Sequence, residues 1–185
     1  MRFFAIDFYL WYAPAGTWLF VPPYPGPLKW GENLSQNDIL ACEAGLTFRV
    51  DNFLWLGDER DMFPLDLVYF ELENTLVEDP LDEEISGRLP ISEHLAIEIK
   101  QGSNNQILLS RFNTRKNKDH LEDIANFVGT YYKDFPVNQE LWRSAVGRAN
   151  DGLAIMFAKS QASVISPERE SLAQSLLNRF QKLNN

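Results

Sequence analysis

The stretch Leu95-Ala96-Ile97-Glu98-Ile99-Lys100-Gln101-Gly102-Ser103-Asn104-Asn105-Gln106-Ile107-Leu108-Leu109-Ser110-Arg111-Phe112 reads as a β-hairpin, and it decides the fold. Leu95, Ile97 and Ile99 alternate with Ala96, Glu98 and Lys100, the period-two pattern of a strand with one buried face. Gly102-Ser103-Asn104-Asn105 supplies the turn, and Ile107 to Phe112 returns. After it the period lengthens. Asn117 is placed as an N-cap, Asp119, Glu122 and Asp123 sit early where they favour the helix dipole, and Leu121, Ile124, Ala125, Val128, Tyr131 and Tyr132 share one helical face. Pro136 ends that helix.

Upstream of the hairpin the chain reads as β. Phe3 to Tyr12 and Thr17 to Val21 predict two strands around Ala13-Pro14-Ala15-Gly16. Pro22 to Pro27 then holds four prolines in six residues, a stiff surface connection that cannot join a sheet ladder. Leu46, Phe48 and Val50 alternate as a strand, and Leu65 to Leu72, centred on Val68, Tyr69 and Phe70, predicts another. Residues 73–90, with Pro80, Gly87 and Pro90, read as a long acidic loop.

Downstream, Gln139 to Ala149 predicts a helix with Leu141, Trp142, Ala145 and Val146 inward, ended by Asn150-Asp151-Gly152. Leu153 to Ala158 suits a short buried strand. Ser166-Pro167 opens a last helix, whose stripe is Leu172, Ala173, Leu176, Leu177, Phe180 and Leu183. The expectation is a single α+β domain over 1–185: residues 1–112 mainly β with a largely antiparallel sheet and the acidic loop 73–90, residues 113–185 mainly helical with about three helices and one strand near 153–158.

The length and composition suit a folded domain without staples. The chain has 185 residues, 45% hydrophobic and 13% aromatic, with one Cys, so it is neither a disordered tail nor a disulfide scaffold. The single Cys42 fits a reducing compartment. Residues 3–23 are the one apolar stretch that imitates a targeting or membrane segment. Asp7 interrupts it, and Pro14 and Gly16 break it again, so two strands and a turn are expected in a cytoplasmic protein that does not enter a membrane.

Charge is unevenly placed. The net charge is −9. Residues 1–93 hold 17 acids against 5 bases, whereas residues 94–185 hold 9 against 12. Between Asp51 and Glu93, 13 acids face only Arg60 and Arg88. Asp58, Glu59 and Asp61 form one knot; Glu78, Asp79, Asp82, Glu83 and Glu84 form another. Such a field disfavours nucleic acid as a direct partner and suits a basic protein, for which it speeds encounter. Trp55 and Phe63 are the aromatic anchors expected within that surface. A smaller basic patch, Arg111, Arg115, Lys116 and Lys118, is placed to hold an anion or an acidic side chain.

Catalytic signatures are sparse. No Gly-x-Ser-x-Gly elbow or phosphate-cradling glycine loop occurs, and Cys42 stands in an apolar neighbourhood as a core side chain. His94 and His120 are the only histidines and belong to no motif, and one Cys with two His lacks zinc spacing. No cofactor, metal site or catalytic residue is expected. One triplet stands apart: Glu98-Ile99-Lys100 on a strand resembles half of the restriction-endonuclease-like nuclease motif. That likeness implies magnesium on the carboxylate, a water-orienting Lys, and a second acid at Asp79 or at Asp66 on the preceding strand.

The leading expectation is therefore a non-enzymatic acidic binding protein that neutralises a basic partner. In class and charge, without a shared motif, it is similar to the immunity proteins that block bacterial nuclease toxins. The alternative is a magnesium-dependent phosphodiesterase acting through Glu98 and Lys100.

Overall fold

The computed structural model describes residues 3–26, 34–51, 53–56, 63–76, 87–90, 95–113 and 134–185. The fold is α+β, with two antiparallel sheets and the two longest described helices towards the C-terminus. The first sheet contains β1 (Phe4–Tyr12), β2 (Thr17–Val21), β3 (Glu43–Val50), β4 (Phe53–Leu56) and the two-residue β5 (Phe63–Pro64). Its order is β2-β1-β3-β4, and β5 pairs with the start of β3. The second is a meander, β6 (Gly87–Pro90), β7 (Leu95–Gln101), β8 (Gln106–Asn113) and β9 (Phe135–Asn138). The expected hairpin is β7–β8, closed by Asn104 and Asn105 at positive φ, a conformation Asn tolerates better than most residues.

Both sheets turn one face to a shared core. On β1, Phe4, Ile6, Phe8 and Leu10 point inward beside Ala44, Leu46 and Phe48 of β3. Leu89, Ile97, Ile99, Ile107, Leu109, Phe135 and Val137 do the same on the second sheet. Between them runs α3 (Gln139–Lys159), packed on β1 and β2 of one sheet and on β8 and β9 of the other. Trp142 of α3 is the centre of an aromatic nucleus. Its ring stacks on Phe48 with centroids 6.4 Å apart and lies 5.7 Å from that of Phe4.

Several elements differ from the sequence expectation. Leu65 to Leu72 is a helix, α2 (Leu65–Asn74), not a strand. Leu65, Val68, Tyr69 and Leu72 recur at the spacing of a helical stripe and are buried, and Asp66 lies in the first turn; β-propensity at Val68-Tyr69-Phe70 yields to that packing. Residues 73 and 74 of the expected acidic loop complete that helix and residues 87–90 form β6, while 77–86 lie outside the described residues.

The expected break at Asn150-Asp151-Gly152 is also absent: α3 runs unbroken through it, and residues 153–158 are helix, not strand. Each of the three residues has a tertiary reason to sit inside a helix. Asn150 donates to Glu73, Asp151 accepts from Arg179, and Gly152 meets the backbone of Pro22. Finally, Pro136 lies in strand β9 opposite Leu108, at the edge of its sheet where a missing N–H is tolerated.

The last helix begins as a 3-10 turn, Pro167–Arg169, after Ser166, and continues as α4 (Glu170–Leu183) with Leu172, Ala173 and Leu176 buried. A short α1 (Gln36–Leu40) carries a capping box: Ser35 Oγ accepts from the Asp38 N–H, and Asp38 accepts from the Ser35 N–H. Pro22 and Pro23 are not a free surface connection, because Pro23 is buried and Tyr24 is tied to Arg148 of α3 by its N–H and its carbonyl. The expected helix over 117–132 lies outside the described residues. No described helix is long and apolar enough to cross a membrane.

Candidate partner-binding surface

Within the acidic stretch Asp51–Glu93 lies α2. The Leu65, Val68, Tyr69 and Leu72 face is driven into the core, each apolar side chain contributing about 1.5–3 kcal/mol on burial. Asp66 and Leu67 are left exposed and Phe70 and Glu71 half-buried. Leu67 is 41% exposed, large for an aliphatic side chain, and stands next to Asp66. Among the described residues, neither Asp66 nor Glu71 has a cationic partner, and no basic side chain lies between positions 61 and 87 of the chain. The outward face of α2 is thus an acidic ridge with an apolar centre.

Glu73, one residue from the end of α2, has a different role. Its Oε1 accepts from Arg179 Nη1 at 2.8 Å and from the Asn150 amide. The same guanidinium donates through Nε to Asp151 at 2.7 Å and through Nη2 to the Gly147 carbonyl at 3.0 Å. Burial alone would lower the Arg179 pKa, but its hydrogen bond to Asp151 and the charges of Glu73 and Asp151 outweigh that and raise it. Tyr69, whose hydroxyl lies 3.1 Å from Ser175 Oγ, is raised chiefly by burial. At the other end of the junction Trp142 Nε1 donates to Thr75 Oγ1 at 3.1 Å. One guanidinium on α4 therefore pins α2 to α3, holding the acidic ridge in place.

The sequence-predicted acids Asp58, Glu59, Asp61, Glu78, Asp79, Asp82, Glu83 and Glu84 lie outside the described residues. They flank α2 in the chain on both sides, so the ridge is the described centre of that stretch. Trp55 lies on β4, at the margin of the first sheet. Phe63 is half-buried on β5 and packs against the core, so it is only partly available as an anchor. The aromatic or aliphatic anchor that the sequence did not single out is Leu67; it emerges only once Leu65–Asn74 is a helix. Arg111 lies on β8, and Arg115, Lys116 and Lys118, like His94 and His120, lie outside the described residues.

Of the two second acids expected for the nuclease-like triplet, Asp79 lies outside the described residues. Glu98 and Lys100 are on the outer face of β7, where Lys100 Nζ and Glu98 Oε2 form an ion pair of 2.8 Å. Asp66, expected on a preceding strand, is instead exposed on α2. Among the described residues, no group of three His, Cys, Asp or Glu side chains is placed to hold a metal ion.

Two further charged or nucleophilic groups are structural. Asp7 is 1% exposed on β1 and receives both Nε and Nη2 of Arg49, each at 2.7 Å, with Thr47 Oγ1 at 3.3 Å. The hydrogen bonds to Asp7 raise the Arg49 pKa. Cys42 is buried, donates to the Asp38 carbonyl at 3.3 Å, and is pushed up to about 12, mainly by burial. A thiol with that pKa is no nucleophile near neutrality.

No protein-family model, curated protein or solved structure matches the chain.

Proposed function

We propose that the protein is a non-enzymatic binding protein for a basic protein partner, which it engages through the acidic stretch Asp51–Glu93, in the manner of an immunity protein that blocks a nuclease toxin. The observation that carries this reading is the outward face of α2, where Asp66 and Glu71 stand beside exposed Leu67 without a described cationic neighbour. A cationic surface approaching that ridge would be steered by charge and would cover Leu67 on contact. The two acidic knots on either side of α2 in the chain would extend the same field. A toxin's nucleic-acid cleft, itself cationic, is the natural complement, and occupying it excludes the polyanion substrate.

The test begins with the chain immobilised and exposed to lysate of its own cells. A recovered basic protein is then purified, and its association with wild type is compared with the double variant Asp66→Lys, Glu71→Lys. The reading requires slower association and weaker inhibition of the partner with the variant, at unchanged fold. A partner bound equally by both proteins contradicts it.

A further inference from the structure

We propose that two copies of this chain associate through β2, by antiparallel pairing of β2 with β2 of a second copy centred on Leu19, so that the two sheets become continuous. β2 is the end strand of its sheet, and no described strand pairs with its outer side. Natural edge strands are guarded against such pairing by Lys, Pro, a bulge or an inward charge. Thr17-Trp18-Leu19-Phe20-Val21 has none of these, and its pairing with β1 runs in unbroken register from Thr17 to Val21.

The side chains favour the same contact. Leu19 and Val21 turn inward, while Trp18 and Phe20 turn outward and stay 41% and 43% exposed. Their rings continue an aromatic ladder from β1: Trp11 to Trp18 at 4.9 Å between centroids, and Tyr9 to Phe20 at 5.2 Å. Pairing centred on Leu19 sets Trp18 opposite Phe20 of the second copy and carries the ladder across the junction. Cross-strand aromatic pairs of this kind stabilise antiparallel sheets.

Charge selects a second copy over a basic partner here. Residues 8–28 form the longest uncharged run in a chain of net charge −9. Two such chains carry like net charge and repel overall, and an uncharged strand lets them meet without adding to that repulsion. A cationic partner gains nothing from this edge and is drawn to the acidic stretch instead. The two contacts therefore respond oppositely to salt: screening weakens the acidic contact and leaves the β2 contact equal or stronger.

Sedimentation equilibrium of the full chain, from about 1 to about 500 μM and in low and high salt, tests this. The expected result is a concentration-dependent species of twice 21.3 kDa that persists or strengthens in high salt. Phe20→Lys and, separately, Trp18→Lys should each raise the dimer dissociation constant at least tenfold, with far-UV circular dichroism unchanged. Hydrogen exchange of wild-type β2 amides, slowing as concentration rises, gives a reading that needs no variant. A 21.3 kDa species at every concentration overturns the proposal, as does a dimer whose β2 amides exchange at a concentration-independent rate. Neither result bears on the acidic surface, whose partner binding is read separately.

Discussion

A Cβ added at Gly152, deep in α3, would stand 2.3 Å from the Pro22 carbonyl oxygen. That approach is closer than any side-chain carbon can make to backbone, so the glycine is what lets α3 lie against the segment following β2. It also explains why a helix passes through a sequence that carries a helix-ending signal.

Gly152→Ala should therefore destabilise the protein by about 1–3 kcal/mol, because the clash is with backbone that cannot rotate away. Gly147 is the internal control. A Cβ there meets only Arg179 Nη2 at 3.6 Å, an ordinary contact. Gly147→Ala should stabilise by up to about 1 kcal/mol, the usual gain of replacing a helical glycine. Urea midpoints of the two variants should move in opposite directions.

Arg179→Leu should cost about 1–3 kcal/mol, since it leaves Glu73 and Asp151 without their shared cation in a partly buried site. Arg179→Lys should recover only part of that loss, because an ammonium cannot address Glu73, Asp151 and the Gly147 carbonyl with one planar fork. Thermal unfolding of the three proteins checks the order: wild type highest, Lys next, Leu lowest.

Cys42 makes a prediction in pH. Burial holds its thiol near 12 in the fold, above the ordinary value of 9.0. The folded state thus binds this proton more tightly than the unfolded state does. The resulting stabilisation is complete below about pH 9 and is lost progressively as pH rises towards 12. Between about pH 9 and pH 11, inside that window, wild type should lose more stability than Cys42→Ala. Native Cys42 should also resist a thiol reagent at neutral pH and react fully once unfolded.

Much of the fold can be read from residues alone, where one signal dominates. The β7–β8 hairpin, β1, β2 and the last helix each have unopposed periodicity and clear turn or cap residues. The reading fails where tertiary partners override a local signal. Val68-Tyr69-Phe70 have strand propensity, but the Leu65, Val68, Tyr69, Leu72 stripe packs as a helix. Asn150 and Gly152 look like a stop until Glu73 and Pro22 are placed beside them. Asp7 reads as an interruption in an apolar run; it is a buried carboxylate whose partner, Arg49, is forty-two residues away in the chain.

The acidic stretch was legible as composition, since thirteen acids between Asp51 and Glu93 need no structure to count. Its apolar element was not. Leu67 becomes an exposed neighbour of Asp66 only on a helix whose opposite face is buried, and Glu73 is neutralised only because Arg179 reaches it from α4.

The most direct test of the acidic-surface account is the association rate constant of the captured partner with wild type and with Asp66→Lys, Glu71→Lys, each in low and high salt. The account predicts fast association by wild type in low salt, a fall of about tenfold or more in high salt, and a slower, less salt-dependent rate for the variant. Equal rates for both proteins at both salt concentrations would contradict it.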